Sequence, residues 1–454
     1  MNLSSIHNIY FIGIGGIGMS ALARYFKLQG AAVYGYDRTE TELTKALVAE
    51  GMAIHYEDDV NQIPENIDLV VYTPAVPADH SELSWFRDQG YPVKKRAEVL
   101  GIISRAKRCI AIAGTHGKTT TSTMTSHLLR SCGIDATAFV GGISGNLSSN
   151  FAQGTSDWVV VEADEYDRSF LHLHPEIAVI NSVDADHLDI YGSEAEVRAS
   201  YTQFASQLKP GGRLLLEQGV DIQVDNALRF GPGAKNFEPV NIRMENGFSV
   251  FDLLENNGET SHTLFTGLKL PYPGLHNVKN ATAAIAATIM AGGDKDSIPA
   301  ALEVFKGVKR RFETIYKSDD VVYIDDYAHH PAELNAAISA ARDMYPGKKL
   351  TAVFQPHLFT RTRDFANEFA KALDKLDACV LLPIYPAREL PMEGVNSEML
   401  LNKMTLKNKQ LLNAEQLLTE IKNDGVSGVL MTMGAGDIDK LIEPIKNLLN
   451  SKKQ

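Results

Sequence analysis

Short, nearly unbroken apolar runs alternate along this chain with longer stretches of helical periodicity. Near the N-terminus "NIYFIG" reads as a buried strand, Ile17 to Gly30 as a helix, "AAVYGYD" as a second strand and "DLVVYTPAV" as another. Strands that alternate with helices predict a parallel sheet covered on both faces. The rhythm breaks around Ser104 to Arg108, where the chain turns basic and polar, and restarts with "CIAIAG", "WVVVEAD" and "IAVINSVDAD". Gly231 to Gly267 is rich in turn residues and carries no pattern that places it. An Ala-rich helix in "GLHNVKNATAAIAATIMAGG" leads to a basic linker, "FKGVKRRFE". The α/β alternation then resumes with "VVYIDDY", "KLTAVFQPH", "DACVLLPIY" and "SGVLMTMGAG". No repeat at solenoid periods is present. The expected architecture is α/β in three domains: Rossmann-like over 1–105, a central P-loop ATPase-type parallel sheet over 106–308, and a second Rossmann-like domain over 309–454.

Composition narrows the function without naming it. A chain of 454 residues exceeds what one hydrophobic core supports. Its 44% hydrophobic and 22% charged content is that of an ordinary globular protein. A net charge of −12 argues against nucleic-acid binding by bulk phosphate attraction, while leaving room for local pockets that hold small anions. Cys109, Cys132 and Cys379 are far apart and form no C-x-x-C pair, which suits a reducing compartment better than a disulfide framework or a zinc site. The opening residues lack a basic region before their glycine-broken apolar run, and no run reaches eighteen apolar residues. We therefore expect no signal peptide, no membrane insertion and a cytoplasmic location.

Two glycine loops carry the candidate chemistry. In "AIAGTHGKTTT" only Thr115 and His116 separate Gly114 from Gly117, so the loop is shorter than the usual G-x-x-x-x-G-K-[ST]. A strand before it and a helix after it still aim backbone N–H groups at an anion over the helix N-terminus. Lys118 can reach terminal phosphates, and the Thr119 hydroxyl can ligate Mg²⁺. Such an ion needs carboxylates at neighbouring strand ends. "EADEYD" supplies Glu162, Asp164, Glu165 and Asp167, and "NSVDADHLD" supplies Asp184, Asp186, His187 and Asp189. The other loop, "GIGGIGM", fits G-x-G-x-x-G with Asp37 ending the next strand, which on motif rules alone is a dinucleotide fingerprint. A dehydrogenase stands as an alternative at this point.

Taken in order, "GTHGKTTT", "EADEYD", "NSVDADHLD", "GLHNVKNA", "KRRFE", "DDYAHHP" and "FQPHLFTRTRDF" resemble the Mur ligases of peptidoglycan synthesis over nearly the whole chain. The resemblance implies ATP-driven ligation of an amino acid to a UDP-sugar carboxylate through an acyl phosphate, with ATP and Mg²⁺ as cofactors. Within the family it points to the branch that adds L-alanine to the lactyl carboxylate of UDP-N-acetylmuramate, working as a monomer or weak homodimer.

By the same resemblance Gly114, Thr115, His116, Gly117, Lys118, Thr119 and Thr120 would cradle the ATP phosphates. Thr119 and Glu162 would hold one Mg²⁺, and His187 a second. His276, Asn277 and Asn280 would contact adenine, Arg311 the γ-phosphate and Asp326 the ribose. Gly15, Gly16, Ile17 and Gly18 would face the substrate diphosphate, with Asp37 and Thr73 near the uridine and Arg96 a further phosphate contact. Tyr327, His329 and Arg361 would form the L-alanine site, His329 orienting the amine or accepting its proton. The resemblance further implies a hinge near 307–310.

One departure concerns the alanine site, where many relatives carry a second arginine at the position of Leu358. The tripeptide-recycling ligase shares "GTHGKTTT" and "EADEYD" but lacks the "QPHxFTRTRD" stretch. Later-acting ligases carry a carbamylated lysine, and this chain has no lysine between His187 and Lys209.

Overall fold

The computed structural model describes residues 3–77, 79–184, 188–256, 260–387 and 389–451, which fold around three sheets. The first has five parallel strands in the order Ala53–His55, Ala32–Tyr36, Asn8–Ile12, Leu69–Tyr72, Val93–Lys95. Ile9 to Ile12 are all buried because helices cover both faces. The strand order reverses between Asn8–Ile12 and Leu69–Tyr72, the switch point where an open α/β sheet leaves a ligand crevice. Helix Ile17–Leu28 starts directly at the glycine turn facing that crevice.

The second sheet has ten strands. The strand Arg108–Ala113 lies between Trp158–Glu162 and Ile177–Ile180, parallel to both, with Ile112 level with Glu162 and Ala113 level with Ile180. This register brings both acidic strand ends to the two sides of the phosphate loop. The sheet is mixed rather than purely parallel: Thr137–Ser144 and Ser149–Ala152 run antiparallel, because the turn joining them is too short for a crossover. The stretch that carried no sequence pattern forms strands Phe237–Glu245, Phe248–Asn256 and Ser261–Leu270 at the far end of the strand order.

The third sheet has the order Glu313–Lys317, Val321–Asp326, Gly428–Met433, Leu350–Phe354, Ala378–Leu381, Lys409–Leu411. Its first strand is antiparallel to its neighbour, joined by a tight turn in which Ser318 bonds Val321 through backbone and hydroxyl alike. The remaining pairings are parallel.

Contacts group the chain into two compact units. The first comprises Met1–Ile242, Phe251–Lys269 and Lys279–Lys306; the second comprises Arg243–Val250, Leu270–Val278 and Gly307–Gln454. Within the first unit one apolar core runs from Ile9, Phe11 and Met19 through to Phe139 and Val161, so the N-terminal sheet and the phosphate-loop sheet share it. The Tyr25 ring packs on Phe139 and Phe151 at 5.5 and 6.4 Å. Among the described residues no helix is long and apolar enough to cross a membrane.

Candidate active site

The phosphate loop is built on Gly117, which caps helix Lys118–Ser131 at φ 79°, a left-handed conformation that a side chain would strain. A Cβ there would also lie 2.5 Å from Asn280 Oδ1. The loop is tied down from the neighbouring strand end: Ser182 Oγ accepts the His116 N–H at 2.9 Å and lies 2.9 Å from Thr115 Oγ1. Thr115 Oγ1 also reaches Asp184 Oδ2 at 3.1 Å, and His116 Nε2 approaches the same carboxylate at 3.4 Å. Thr120 sits half-buried in the first turn. Asn181 Nδ2 donates to Thr121 Oγ1 at 2.9 Å.

Lys118 folds back over its own loop. Its Nζ donates to Gly114 O at 2.7 Å and to Glu165, a carboxylate only 3% exposed, at 2.8 Å. Burial pulls the lysine toward neutrality, but Glu165, Asp164 and Glu162 outweigh it and hold the ammonium above its ordinary pKa. Burial raises the Glu165 carboxyl, with Lys118 opposing.

Thr119 Oγ1 donates to Glu162 Oε1 at 3.0 Å, and Glu162 Oε2 accepts the Gly141 N–H at 2.8 Å. A hydroxyl and a carboxylate at the start of the helix form an oxygen donor set that suits Mg²⁺. His187 and Asp186 lie outside the described residues.

The N-terminal glycine loop faces the same place. A cavity of about 350 Å³ is lined by Gly16, Ile17, Gly18, Thr73 and Arg96 from the first sheet, and by Gly141, Glu162 and Asp164 from the second. A Cβ at Gly18 would stand 2.8 Å from Arg96 Nη1, so a side chain there would displace the guanidinium. Arg96 in turn approaches Asp164 at 3.4 Å. Gly15 and Asp37 are turned toward each other, with the Gly15 N–H donating to Asp37 Oδ2 at 2.7 Å.

The remaining sequence candidates divide between the units. Asn280 belongs with the loop, whereas His276, Asn277, Arg311, Asp326, Tyr327, His329 and Arg361 belong to the second unit. There the Tyr327 ring lies 5.1 Å from the guanidinium carbons of both Arg310 and Arg311. Asp326 accepts the backbone N–H groups of Phe312 and Ala328, both at 2.7 Å. Burial raises its pKa to about 6 against the pull of Arg311 and those N–H groups. His329 Nδ1 lies 2.9 Å from Tyr327 O, a partner that only accepts, which assigns the proton to Nδ1 and leaves Nε2 as an acceptor. Burial lowers its pKa, Glu333 opposes this, and Arg361 lies close enough to push the ring further toward neutral. Leu358 is 7% exposed and holds φ 70°, a conformation costly for a non-glycine residue.

Sequence reasoning did not single out Ser182, Asn181 or Gly141, and did not pair Glu165 with Lys118. The first two stand directly after a strand beside the loop strand, the one signal that marks them.

Three family models cover the chain in order: "Mur ligase family, catalytic domain" over residues 8–108, "Mur ligase middle domain" over 112–288, and "Mur ligase, glutamate ligase domain" over 310–436. The chain is 49% identical to UDP-N-acetylmuramate–L-alanine ligase of Cytophaga hutchinsonii, over 100% of this chain and 99% of that one. It is 50% identical to the enzyme of that name from Flavobacterium johnsoniae, over 99% of each chain. The solved UDP-N-acetylmuramate-alanine ligase of Thermotoga maritima superposes with a TM-score of 0.83 at 29% identity, covering 98% of this chain and 99% of that one.

Proposed function

The chain belongs to the Mur ligase family, and from that premise we propose that it joins L-alanine to the lactyl carboxylate of UDP-N-acetylmuramate while ATP is cleaved to ADP and phosphate. The observation that carries this reading is the shared cavity: the glycine loop that suits a diphosphate and the Glu162 carboxylate bound to the phosphate loop line one space. A dinucleotide-dependent oxidoreductase leaves Lys118, Thr119 and Glu162 without work. The full-length likeness to alanine-adding enzymes sets the tripeptide-recycling reading aside.

A carboxylate oxygen is a very poor leaving group for an amine to displace, so it must first be phosphorylated. The protein's part in that transfer is positioning and charge neutralisation. Gly16 to Gly18 and Arg96 hold the sugar nucleotide so that its carboxylate lies toward Glu162. The loop N–H groups and Lys118 hold the triphosphate, Lys118 exchanging Glu165 for phosphate oxygens. Thr119 and Glu162 would hold one Mg²⁺ and His187 a second, and the bound ions would supply positive charge against the phosphate oxygens. His276, Asn277 and Asn280 serve the adenine, Asp326 the ribose and Arg311 the γ-phosphate. Arg361 and Tyr327 receive the amino acid, and His329 Nε2, neutral through burial, accepts the amine proton as the amide forms. The reading places the enzyme in the cytoplasm as a monomer or weak homodimer that needs only small-molecule partners.

The test is phosphate release from ATP with UDP-N-acetylmuramate and, in parallel, L-alanine, the L-Ala-γ-D-Glu-containing tripeptide or no acceptor. Turnover with alanine alone is expected. Turnover confined to the tripeptide, or none with any acceptor, overturns the assignment.

A further inference from the structure

The N-terminal sheet carries a second polar group that the ligation does not use. Asp58, His80 and Glu82 bring one ligand atom each within 4.8 Å of the others. Asp58 follows strand Ala53–His55, while His80 and Glu82 stand at the start of helix Ser81–Asp88. Asp58 accepts the Ser81 and Glu82 N–H groups at 2.9 and 3.1 Å, which caps the helix and fixes the carboxylate plane.

The imidazole is the unusual member. The His80 side chain is 6% exposed, and neither ring nitrogen has a hydrogen-bond partner. Its Nδ1 instead lies 3.3 Å from Asp58 Oδ1. A buried polar group left unbonded forfeits its hydration with nothing in return, so such a side chain calls for an explanation. Glu82 is fully buried and accepts hydrogen bonds from the Tyr10 hydroxyl at 2.7 Å and the Asp59 N–H at 3.2 Å, with His55 Nε2 3.5 Å away. Among the described residues neither carboxylate has a lysine or arginine partner.

We propose that Asp58, His80 and Glu82 bind a divalent transition-metal ion of the Zn²⁺ class, through one imidazole nitrogen and two carboxylate oxygens. Imidazole with carboxylates is a donor set for Zn²⁺, Mn²⁺ or Fe²⁺ rather than for the all-oxygen preference of Mg²⁺. The ion would satisfy the orphaned imidazole and balance the two carboxylates. It ties the segment after Ala53–His55 to the segment after Leu69–Tyr72, which contributes Thr73 and Ala75 to the cavity wall. The metal is a brace for the sugar-nucleotide wall and takes no part in bond making.

Full-length protein, stripped by chelation and kept in excess Mg²⁺ so that the phosphate-loop site is saturated, is titrated with Co²⁺ and followed by absorption. One equivalent should bind with a visible ligand-field band, be displaced by Zn²⁺, and raise the melting temperature. His80→Asn and Asp58→Asn should each weaken uptake by roughly tenfold or more. Asp58→Asn keeps an oxygen for the helix cap, so its fold can be checked by melting of the metal-free chain if His80→Asn does not fold. No uptake above the Mg²⁺ background, a thiolate charge-transfer band marking cysteine binding, or uptake unchanged in the folded variants overturns the proposal.

Discussion

Thr119 Oγ1 and Glu162 Oε1 lie 3.0 Å apart, joining the first turn of the phosphate-loop helix to the end of the adjacent strand. Because Glu162 also lines the cavity beside the N-terminal glycine loop, Glu162→Gln should slow turnover by ~100-fold, the scale for removing one preorganised charge contact. It should also raise the Mg²⁺ concentration needed for half-maximal rate. Steady-state rates across a Mg²⁺ series check this, and an unchanged Mg²⁺ requirement would count against the shared role of the pair.

Glu165→Gln removes the hydrogen-bonded partner of the buried Lys118 ammonium and leaves it only the nearby Asp164 and Glu162 carboxylates. We expect a loss of about 3 kcal/mol in the nucleotide-free protein. Phosphate oxygens can take over the vacated partnership, so a non-hydrolysable ATP analogue should recover more stability in the variant than in the wild type. Urea melts with and without the analogue measure both effects.

A methyl group at Gly18 meets the Arg96 guanidinium at 2.8 Å, and the flexible arginine must yield. Gly18→Ala should therefore raise KM for the sugar nucleotide by roughly tenfold, equivalent to about 1.4 kcal/mol. KM for ATP should stay near its wild-type value. Equal changes in both constants would mean that the two loops do not act on separate substrates.

Burial depresses the His329 pKa below that of a free histidine. The neutral ring therefore persists to lower pH in the folded protein, and the acid limb of the alanine-dependent rate should fall below the ordinary histidine range near 6.5. His329→Asn should remove that limb and slow amide formation by ~100-fold or more. Rate profiles in saturating ATP and sugar nucleotide would show it.

Asp326 runs the other way. Its folded pKa of about 6 exceeds the 3.8 of an ordinary aspartate, so the protonated form is favoured by folding. That contribution is fully present below about pH 3.8 and is lost as pH rises through about 6. The stability of wild type relative to Asp326→Asn should fall by about 1.4 kcal/mol for each pH step of one across that window and level off above it. Melting temperatures of the two proteins, measured side by side from acid to neutral pH, check the slope.

The strands that position the site declared themselves in the sequence because they are buried on both faces: Cys109 to Ala113 and Trp158 to Val161 read as unbroken apolar runs. Strands with a wet face did not. Phe237–Glu245 alternates burial only near its start, and its later residues face water. Three-residue strands such as Ala53–His55, Val93–Lys95 and Lys409–Leu411 are too short and too polar to show a period. The antiparallel strand Glu313–Lys317 starts only at the last residue of what reads as a basic linker.

For the site, a local motif identifies the loop, but not which acid answers it. Glu162 and Glu165 both occur in "EADEYD"; the family resemblance pairs Glu162 with Thr119, whereas the pairing of Glu165 with Lys118 emerges only in the folded chain. Asp58, His80 and Glu82 gave no signal at all, since His80 and Glu82 are separated from Asp58 by a whole strand.

The common core beneath the first two sheets makes their cavity a ruler. With Tyr25 wedged on Phe139 and Arg96 set against Asp164, the span from the glycine turn at Gly16 to the carboxylate of Glu162 is fixed by packing rather than by the substrate. On the proposed reading, a sugar nucleotide would be measured by length, since only one whose acid group stands the right number of bonds from its diphosphate would fill both ends at once. An otherwise similar molecule with the acid one carbon nearer would then keep its hold at the glycine turn and be delivered short.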